Sequence, residues 1–362
     1  MPEIWLNYGP TDVVVDVRAE NLERQIVSGG ANLSDSEIMS KLESIDMSRP
    51  IELVIMEHTK AVQKTISIFL DLCTKNALQK PKILVDKSSL NSVKNIFSDP
   101  TVSISEFDNS QLSNSNLIFV GELEFDGLFG FNSISTKLLR RFGKDNMIEA
   151  YEKRDGNLPL PGQELKTMEI AKKFVDGFEI SCIEIVANQT GIVDMATGHP
   201  SSTLPLHKSL NSVALNEVGT NRILIISSGK EVSNETLSRS LSSIWNCSNG
   251  VKEEGLAILL AECKNGLGSE AITQYVEGRM NLDRLRNPAK YVDGMEDLLF
   301  LTEMKKKFQI GIISVLPQLY VKDKLGLISF SGSKQAMEYI LKTFGERQKI
   351  SIVSDGSRVL LR

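Results

Sequence analysis

The sequence predicts an α/β protein whose two domains face each other across a cleft. Short runs rich in β-branched residues and leucine alternate with longer amphipathic stretches, which is typical of alternating strands and helices. The chain has 362 residues, and single hydrophobic cores stop growing at about 250–300 residues. We therefore expect an N-terminal domain over residues 1–210 and a C-terminal α/β domain over residues 211–362.

In the N-terminal half, short apolar runs predict the strands. Residues 52–56 indicate a buried strand, and residues 63–75 carry apolar side chains at helical spacing. Residues 82–85 and 117–120 predict two further strands, while residues 13–17 predict one strand of an initial hairpin. This succession of elements is that of an α/β unit.

The C-terminal half shows the same alternation more clearly. Residues 233–245 predict a helix that Ser233 opens as its N-cap. Residues 333–344 predict a second helix with one apolar face. The predicted strands of this half cover residues 222–226, 256–260, 311–316 and 350–353.

The charge balance argues against nucleic acid and membranes as partners. Lysine and arginine number 41 against 46 aspartates and glutamates, a formal net charge of −5, so no basic field exists to hold a phosphate backbone. No stretch approaches the roughly 18 uninterrupted apolar residues of a membrane-spanning helix. The first residues resemble no signal peptide, so we expect a cytoplasmic protein.

Cysteine and histidine usage argues against a metal site. The four cysteines are scattered without a C-x-x-C pair, whereas structural zinc sites need clustered ligands. The three histidines are His58, His199 and His207, and their spacing does not place them together. We therefore predict no metal-ligating residues.

The first candidate site is the segment Glu57-His58-Thr59-Lys60, which follows the strand at 52–56 and opens a helix. Ligands of open α/β sheets collect beyond the carboxyl ends of strands. A hydroxyl, a cation and free backbone N–H groups at a helix start suit a phosphate or carboxylate. The alternative is that Thr59 simply caps the helix and His58 is a solvated loop residue.

The second candidate is the loop from Cys263 to Glu270, which joins a predicted strand to a helix. Gly266 and Gly268 permit positive φ and a close approach of backbone to a ligand, while Ser269 can cap the helix. The pair lacks the third glycine of a G-x-G-x-x-G motif. Turn geometry alone therefore explains these glycines better than a ligand site does.

Along most of its length the chain resembles the nickel-pincer lactate racemase family. The resemblance implies two α/β domains that enclose a cleft, with 2-hydroxy acids as substrates. It also implies hydride transfer from the substrate to a pyridinium-derived cofactor that holds nickel, and return of the hydride to the other face. The segments that carry the resemblance are Leu6-Asn-Tyr-Gly9, Glu57-His-Thr-Lys60, Gly121-Glu-Leu-Glu-Phe-Asp-Gly-Leu-Phe-Gly-Phe131, Glu253-Glu-Gly-Leu-Ala-Ile-Leu-Leu-Ala-Glu-Cys-Lys-Asn-Gly-Leu-Gly-Ser-Glu270 and Lys349-Ile-Ser-Ile-Val-Ser-Asp-Gly356.

The resemblance places most of the family's chemical groups on other residue types. The family's phosphate- and cofactor-contacting Asp-x-Thr-Arg loop aligns with residues 57–60, where lysine stands for arginine. Its metal-site histidine falls on Asp126, and its nickel-ligating histidine falls near Glu152. The lysine that bonds the cofactor falls near Thr136, or on Lys137 if the alignment shifts by one residue.

Two further family groups have no equivalent. The acid–base histidine has no counterpart in residues 87–89, and the substrate-binding lysine falls near residues 240–241, which are serine and leucine. Imidazole suits proton transfer near neutral pH and completes a nickel site held by soft donors. These replacements imply altered or lost racemase activity.

Three functions remain open. The first is a racemase or epimerase of 2-hydroxy acids in which Lys137 replaces the anchor, His58 or His199 acts as base, and Asp126 and Glu152 face the cleft. The second, which the replaced groups favour, is a non-catalytic module that binds a small anion or a protein on the same scaffold. The third is a metal-independent enzyme that uses Glu57, Asp126 and Glu152 as acid–base carboxylates.

These readings give one set of site predictions. The ligand is a small anionic metabolite, either a 2-hydroxy carboxylate or a phosphate-bearing molecule. The cofactor is undetermined from the residues, and a nickel-pincer nucleotide is implied only by the resemblance. The candidate catalytic residues are His58, Asp126 and Glu152, and the candidate cofactor-binding residues are Glu57, Thr59, Lys60, Gly266 and Gly268.

Overall fold

The computed structural model describes residues 3–108, 112, 116–156, 158–203, 205–286 and 288–362. Within these residues it contains strands and helices in alternation. The strands β1 to β18 are Glu3–Tyr8, Thr11–Asp16, Leu22–Ile26, Glu52–Ile55, Lys82–Val85, Ile104–Glu106, Leu117–Glu122, Glu124–Asp126, Gly130–Asn132, Ser181–Ala187, Ile192–Gly198, Leu215–Asn216, Asn221–Ser227, Val251–Leu260, Gln309–Ile313, Ile328–Phe330, Ile350–Val353 and Leu360–Leu361. The helices α1 to α11 are Asp35–Leu42, Lys60–Lys75, Leu90–Ile96, Ile134–Phe142, Lys144–Glu152, Thr167–Val175, Pro205–Ala214, Leu237–Cys247, Glu270–Val276, Met295–Met304 and Ser333–Phe344.

Two six-stranded sheets organise the fold, which confirms the α/β prediction. The first sheet has the order β11-β10-β7-β4-β5-β6, and the second has the order β16-β15-β14-β13-β17-β3. Only the β10–β11 pair of the first sheet is antiparallel among the described strands. The strand pairs described in the second sheet are all parallel. Parallel strands present their carboxyl ends at one edge, where ligands of α/β proteins collect.

The first strands of the chain pack on the second sheet. β3 pairs in parallel with β17, and the hairpin β1–β2 contributes Leu6 and Val15 to the apolar core that also contains Ile258 and Ile352. The hairpin strand predicted at 13–17 is therefore present as β2. The expected division into residues 1–210 and 211–362 stays a prediction, since β3 lies in a sheet whose other strands begin at Asn221.

Local sequence explains where the helices α2 and α8 begin. Thr59 is the N-cap of α2, and its hydroxyl accepts a hydrogen bond from the Val62 amide at 3.2 Å. The helix predicted to open at Ser233 begins at Leu237 instead, because Thr236 caps it. Ser233 lies in a preceding short turn, where its hydroxyl donates to the carbonyl oxygen of Ser228.

We call the part of the chain built around the first six-stranded sheet the first domain and the part built around the second sheet the second domain. The two share an apolar interface beside the cleft. One core cluster contains Phe125 and Phe131 from the first domain together with Trp245 and Phe300 from the second. The rings of Trp245 and Phe300 stack at 4.4 Å between centroids. A Cβ atom on Gly127 would lie 2.3 Å from the Trp245 ring, so only glycine allows this approach. None of the described helices is long and apolar enough to cross a membrane.

Candidate functional site

A cleft of about 710 Å³ lies between the two domains. Loops at the carboxyl ends of β4 and β7 supply one wall together with α4, and α8 and α10 supply the other wall. Charged side chains make up nearly half of this lining. The acidic side chains are Glu57, Asp86, Glu124, Asp126, Glu235, Asp293, Glu296 and Asp297, and the cationic ones are Lys137, Arg140, Arg141 and Arg239.

Lys137 and Glu57 form a buried ion pair at the base of the cleft. The Lys137 Nζ atom donates to Oε2 of Glu57 at 2.7 Å and to the backbone oxygen of Glu122 at 2.6 Å. Arg239 of the second domain donates to the other Glu57 oxygen, Oε1, at 2.7 Å. One carboxylate therefore joins a cation of its own domain to a cation of the opposite domain.

The charges of this cluster determine its protonation. Burial alone would raise the pKa of Glu57, but Lys137 and Arg239 outweigh burial and lower that pKa to about 2. Burial would lower the pKa of Lys137, but the neighbouring Glu57 and Glu124 carboxylates outweigh it and raise that pKa. Glu57 is therefore ionised and Lys137 is protonated at neutral pH.

Glu124 lies beside this pair and differs from Glu57 in its protonation. Its Oε2 atom accepts a hydrogen bond from the Asn132 side chain at 3.0 Å and lies 3.6 Å from the Lys137 Nζ atom. Burial, followed by repulsion from Glu57, raises the pKa of Glu124 to about 7. Its side chain is 26% exposed, so a titratable carboxyl group faces the cleft.

Asp126 lines the cleft but is held by the turn that it stabilises. Its Oδ1 atom accepts hydrogen bonds from the backbone amides of Leu128 and Phe129, both at 2.7 Å. Its Oδ2 atom pairs with Arg140 at 2.8 Å, and Arg140 also pairs with Glu296 of the second domain. All of these contacts fix the β8–β9 connection and the position of α4.

A second carboxyl group with a raised pKa lies on the opposite wall. Asp297 accepts a hydrogen bond from the Ser238 hydroxyl. Burial, followed by repulsion from the adjacent Glu296, raises the pKa of Asp297 to about 8. The cleft thus contains one carboxyl group on each wall that is partly protonated at neutral pH.

The side chains of residues 57–60 do not all face the same cavity. Glu57 lies in the cleft, whereas Thr59 is buried as the cap of α2. His58 and Lys60 line a separate pocket of about 220 Å³. Gln63 contacts the His58 ring at 3.1 Å, and burial lowers the pKa of His58 although Glu235 opposes this.

Gly266 and Gly268 allow the backbone conformation of the loop before α9. Gly266 and Gly268 have φ values of +84° and +86°, and a Cβ atom on Gly268 would lie 2.3 Å from the Thr236 hydroxyl oxygen. The Gly266 carbonyl oxygen accepts the amide of Leu237 at 3.0 Å, which satisfies the start of α8. Gly268 lines the cleft, whereas the described lining does not include Gly266.

The remaining predicted residues lie outside the cleft. Glu152 is exposed at the end of α5 and is absent from the described lining. The His199 ring contacts the Ser201 hydroxyl at 2.8 Å and the Phe178 carbonyl oxygen at 3.2 Å. His207 stacks on Phe131, and burial lowers its pKa to about 4. The structure therefore brings Glu57, Asp126 and Gly268 to the cleft, but not His58, Thr59, Lys60, Glu152 or Gly266.

Sequence reasoning missed several residues of this site. Glu124 lies inside the segment 121–131 that carries the family resemblance, so its charge was visible, but no local pattern indicated its proximity to Lys137. Arg239 directly precedes the residues on which the substrate-binding lysine falls. Outside the cleft lining, nothing near Arg358 in the sequence indicated its pairing with Glu122 at 2.9 Å.

The side chains of the cleft do not fit a nickel-pincer nucleotide. No described histidine lines the cleft, and the described residues contain no cluster of three histidine, cysteine, aspartate or glutamate side chains placed to hold a metal. Lys137 is engaged by Glu57. The first amide of α2, at Lys60, donates to the Glu231 carboxylate at 2.9 Å. A carboxylate therefore already occupies the helix start at which the family resemblance places a phosphate of the cofactor.

Solved structures resemble this chain in fold. No protein-family model and no curated protein matches it. The lactate racemase apoprotein of Thermoanaerobacterium thermosaccharolyticum matches with a TM-score of 0.73 and 17% identity over 100% of both chains. A Thermotoga maritima protein matches with a TM-score of 0.64 and 9% identity over 93% of this chain and 100% of the other. The chain therefore has a lactate racemase-like fold.

Proposed function

We propose that this protein keeps a racemase scaffold without nickel-pincer racemisation, and that it is a non-catalytic module whose cleft binds a small polar ligand. The contacts of Lys137 carry this proposal. Its ammonium group is buried, donates to Glu57 at 2.7 Å and to the Glu122 carbonyl oxygen at 2.6 Å, and lies near Glu124. The lysine that could anchor a cofactor is thus engaged by the protein itself.

An anchoring reaction at Lys137 is opposed by its surroundings. A lysine amine attacks only when it is deprotonated, and the neighbouring carboxylates raise the pKa of Lys137. An amide at this position would also remove the positive charge that pairs with Glu57. Buried carboxylates that lose a partner are strongly destabilising, so the cluster favours the unmodified lysine.

The proton transfer of racemisation also lacks an imidazole at the described cleft. Imidazole is the usual base near neutral pH, and His58, His199 and His207 all lie away from the described cleft lining. Arg140 and Arg239 are paired with carboxylates. The arginines are thus held by carboxylates, and no imidazole base lies at the cleft among the described residues.

The size of the cleft suits a small ligand, and its charge selects among ligands. A volume of about 710 Å³ lies within the roughly 300–1,000 Å³ of small-molecule sites. A 2-hydroxy carboxylate or a phosphate-bearing ligand, as the sequence predicts, would have to displace Glu57 from Arg239 or Asp126 from Arg140. A neutral polyhydroxylated or cationic ligand would leave these pairs intact, and the acidic lining favours it.

The activity is tested by producing the chain together with the cofactor-biosynthesis proteins. We expect an unmodified intact mass, less than stoichiometric nickel and no interconversion of D- and L-lactate. Nickel bound through an adduct on Lys137, together with racemisation, would overturn the proposal.

Ligand binding is tested separately by calorimetric titration with D-lactate, L-lactate, inorganic phosphate, glycerol and putrescine. Binding that Arg239→Gln or Asp297→Asn changes, and that a substitution of exposed Glu152 to Gln leaves unchanged, supports the cleft as the site. If a bound compound is equally affected by Glu152→Gln, the cleft is not the site.

Glu124 favours a second candidate, a metal-independent acid–base enzyme. The carboxylates first considered for this role do not act together, because Glu57 is ionised in its ion pair and Glu152 lies outside the described lining. Glu124 instead combines exposure to the cleft with a pKa of about 7, which suits a general acid or base. Incorporation of solvent deuterium at the α-carbon of lactate, lost in Glu124→Gln, would support this candidate; no incorporation into 2-hydroxy acids would remove them as its substrates.

A further inference from the structure

The amino end of α2 meets a carboxylate from the opposite domain. The Lys60 amide donates to Oε1 of Glu231 at 2.9 Å, and the Thr59 hydroxyl accepts the amide of Val62. The first N–H groups of a helix lack partners within the helix and carry partial positive charge. Glu231 therefore supplies the negative charge that this 16-residue helix attracts at its start.

The second carboxylate oxygen of Glu231, Oε2, extends this contact between the two domains. Arg358 donates to Oε2 of Glu231 at 3.1 Å and to both carboxylate oxygens of Glu122, at 2.9 and 3.0 Å. Glu122 ends β7 of the first sheet, whereas Glu231 and Arg358 follow β13 and β17 of the second sheet. The path from Lys60 through Glu231 and Arg358 to Glu122 thus begins and ends in the first domain and passes through the second.

Glu231 differs from the other ties between the domains. The Glu57 carboxylate is 4% exposed and is held by two cations, and Glu122 is similarly buried at 3%. Glu231 is 20% exposed and contacts the first domain through a backbone amide. It can withdraw into solvent without leaving a buried charge behind, because Arg358 keeps Glu122 as its partner.

We propose that Glu231 is a built-in latch, whose carboxylate occupies the anion position at the start of α2 and holds the two domains closed in the absence of any ligand. The latch is independent of what the cleft binds.

Hydrogen–deuterium exchange of the full chain tests the latch. In Glu231→Ala we expect the amides of the first turn of α2, residues 60–63, and of the loop at 228–235 to exchange at least tenfold faster than in the wild type. Glu231→Gln should be intermediate, because its amide oxygen still accepts from Lys60 while its charge is lost. Glu217→Gln, which removes a charge from an exposed residue of the same domain, should match the wild type.

An added anion separates a latch from ordinary packing. Sodium acetate should slow the exchange of residues 60–63 in Glu231→Ala toward the wild-type rate, and sodium chloride at equal ionic strength should not. Circular dichroism establishes that the variants are folded, and Glu231→Gln remains informative if the alanine variant is not. Wild-type exchange rates in the folded variants, or acetate no more effective than chloride, would overturn the proposal.

Discussion

The Nζ atom of Lys137 lies 2.7 Å from Oε2 of Glu57, although 80 residues separate the two in the chain. α4 delivers the lysine and the loop after β4 delivers the glutamate. Arg239 closes the cluster from the second domain. The charge that defines the base of the cleft therefore depends on three separate elements and on the contact between the domains.

Replacement of Glu57 tests the energetic role of this cluster. Glu57→Gln leaves Lys137 and Arg239 without their shared counter-charge, and loss of one partner of a buried ion pair costs about 3–5 kcal/mol. We expect a decrease of that size in the free energy of unfolding, measured by urea denaturation. The double variant Glu57→Gln/Lys137→Met should recover part of the loss. A decrease below about 1 kcal/mol in the single variant would contradict a structural role for the pair.

Glu124 predicts a specific pH dependence of stability. The folded chain raises its pKa from the ordinary 4.5 to about 7, so the folded state binds this proton more tightly than the unfolded state. The stability that Glu124 contributes is complete below about pH 4.5 and is lost as the pH rises through about 7. Glu124→Gln removes this loss because its side chain does not ionise. One pKa unit corresponds to about 1.4 kcal/mol. Between pH 5 and pH 8 we therefore expect the free energy of unfolding of the variant, relative to that of the wild type, to rise by roughly 2 kcal/mol.

Chemical denaturation at both pH values checks this expectation. Glu52→Gln serves as the control because Glu52 forms a partly exposed ion pair with Lys82 where β4 and β5 begin. A Glu124→Gln variant whose stability follows that of the wild type at every pH would show that Glu124 ionises as in the unfolded chain.

Two substitutions test whether Asp126 stabilises the turn between β8 and β9. Asp126→Asn keeps the oxygen that accepts the Leu128 and Phe129 amides, whereas Asp126→Ala removes it. A buried donor left without a partner costs about 1–3 kcal/mol. We expect thermal unfolding of the alanine variant at a clearly lower temperature than that of the asparagine variant. Equal melting temperatures would contradict the turn-stabilising role.

The contact between Gly127 and Trp245 predicts that the domain interface tolerates no added side chain. Gly127→Ala would place a Cβ atom 2.3 Å from the Trp245 ring, and overpacking of this kind costs about 1–3 kcal/mol. Gly177→Ala is the matched control, because the nearest atom to its Cβ would be 3.8 Å away. Urea denaturation should show a loss of stability only in the first variant, and an equal effect of both would contradict close packing at Gly127.

Features that depend on neighbours in the chain were predictable from the sequence. Thr59 and Ser269 cap their helices as expected, since their hydroxyls accept amides three residues ahead. The strands at 52–56, 82–85 and 117–120 are present in one parallel arrangement. The resemblance further predicted the two facing domains, which the structural matches support as a fold.

The functional surroundings of the candidate residues could not be predicted in the same way. His58 and Glu57 are adjacent in the sequence but line different cavities, because successive side chains of a loop point in different directions. The family resemblance placed a nickel ligand near Glu152, yet Glu152 is exposed at the end of α5. A residue's position in a motif determines its chemical type and leaves its solvent exposure undetermined.

The sequence by itself determined the alternation of strands and helices, the caps and the apolar faces, because hydrogen bonds within helices and hydrophobic periodicity act over a few residues. Tertiary structure alone decided that β3 joins the second sheet, that Lys137 is neutralised by Glu57, and that Glu231 reaches the start of α2. The last two contacts join residues 80 and 171 positions apart. Electrostatic contacts at such separations depend on how the packed domains bring charges together and exclude water from them.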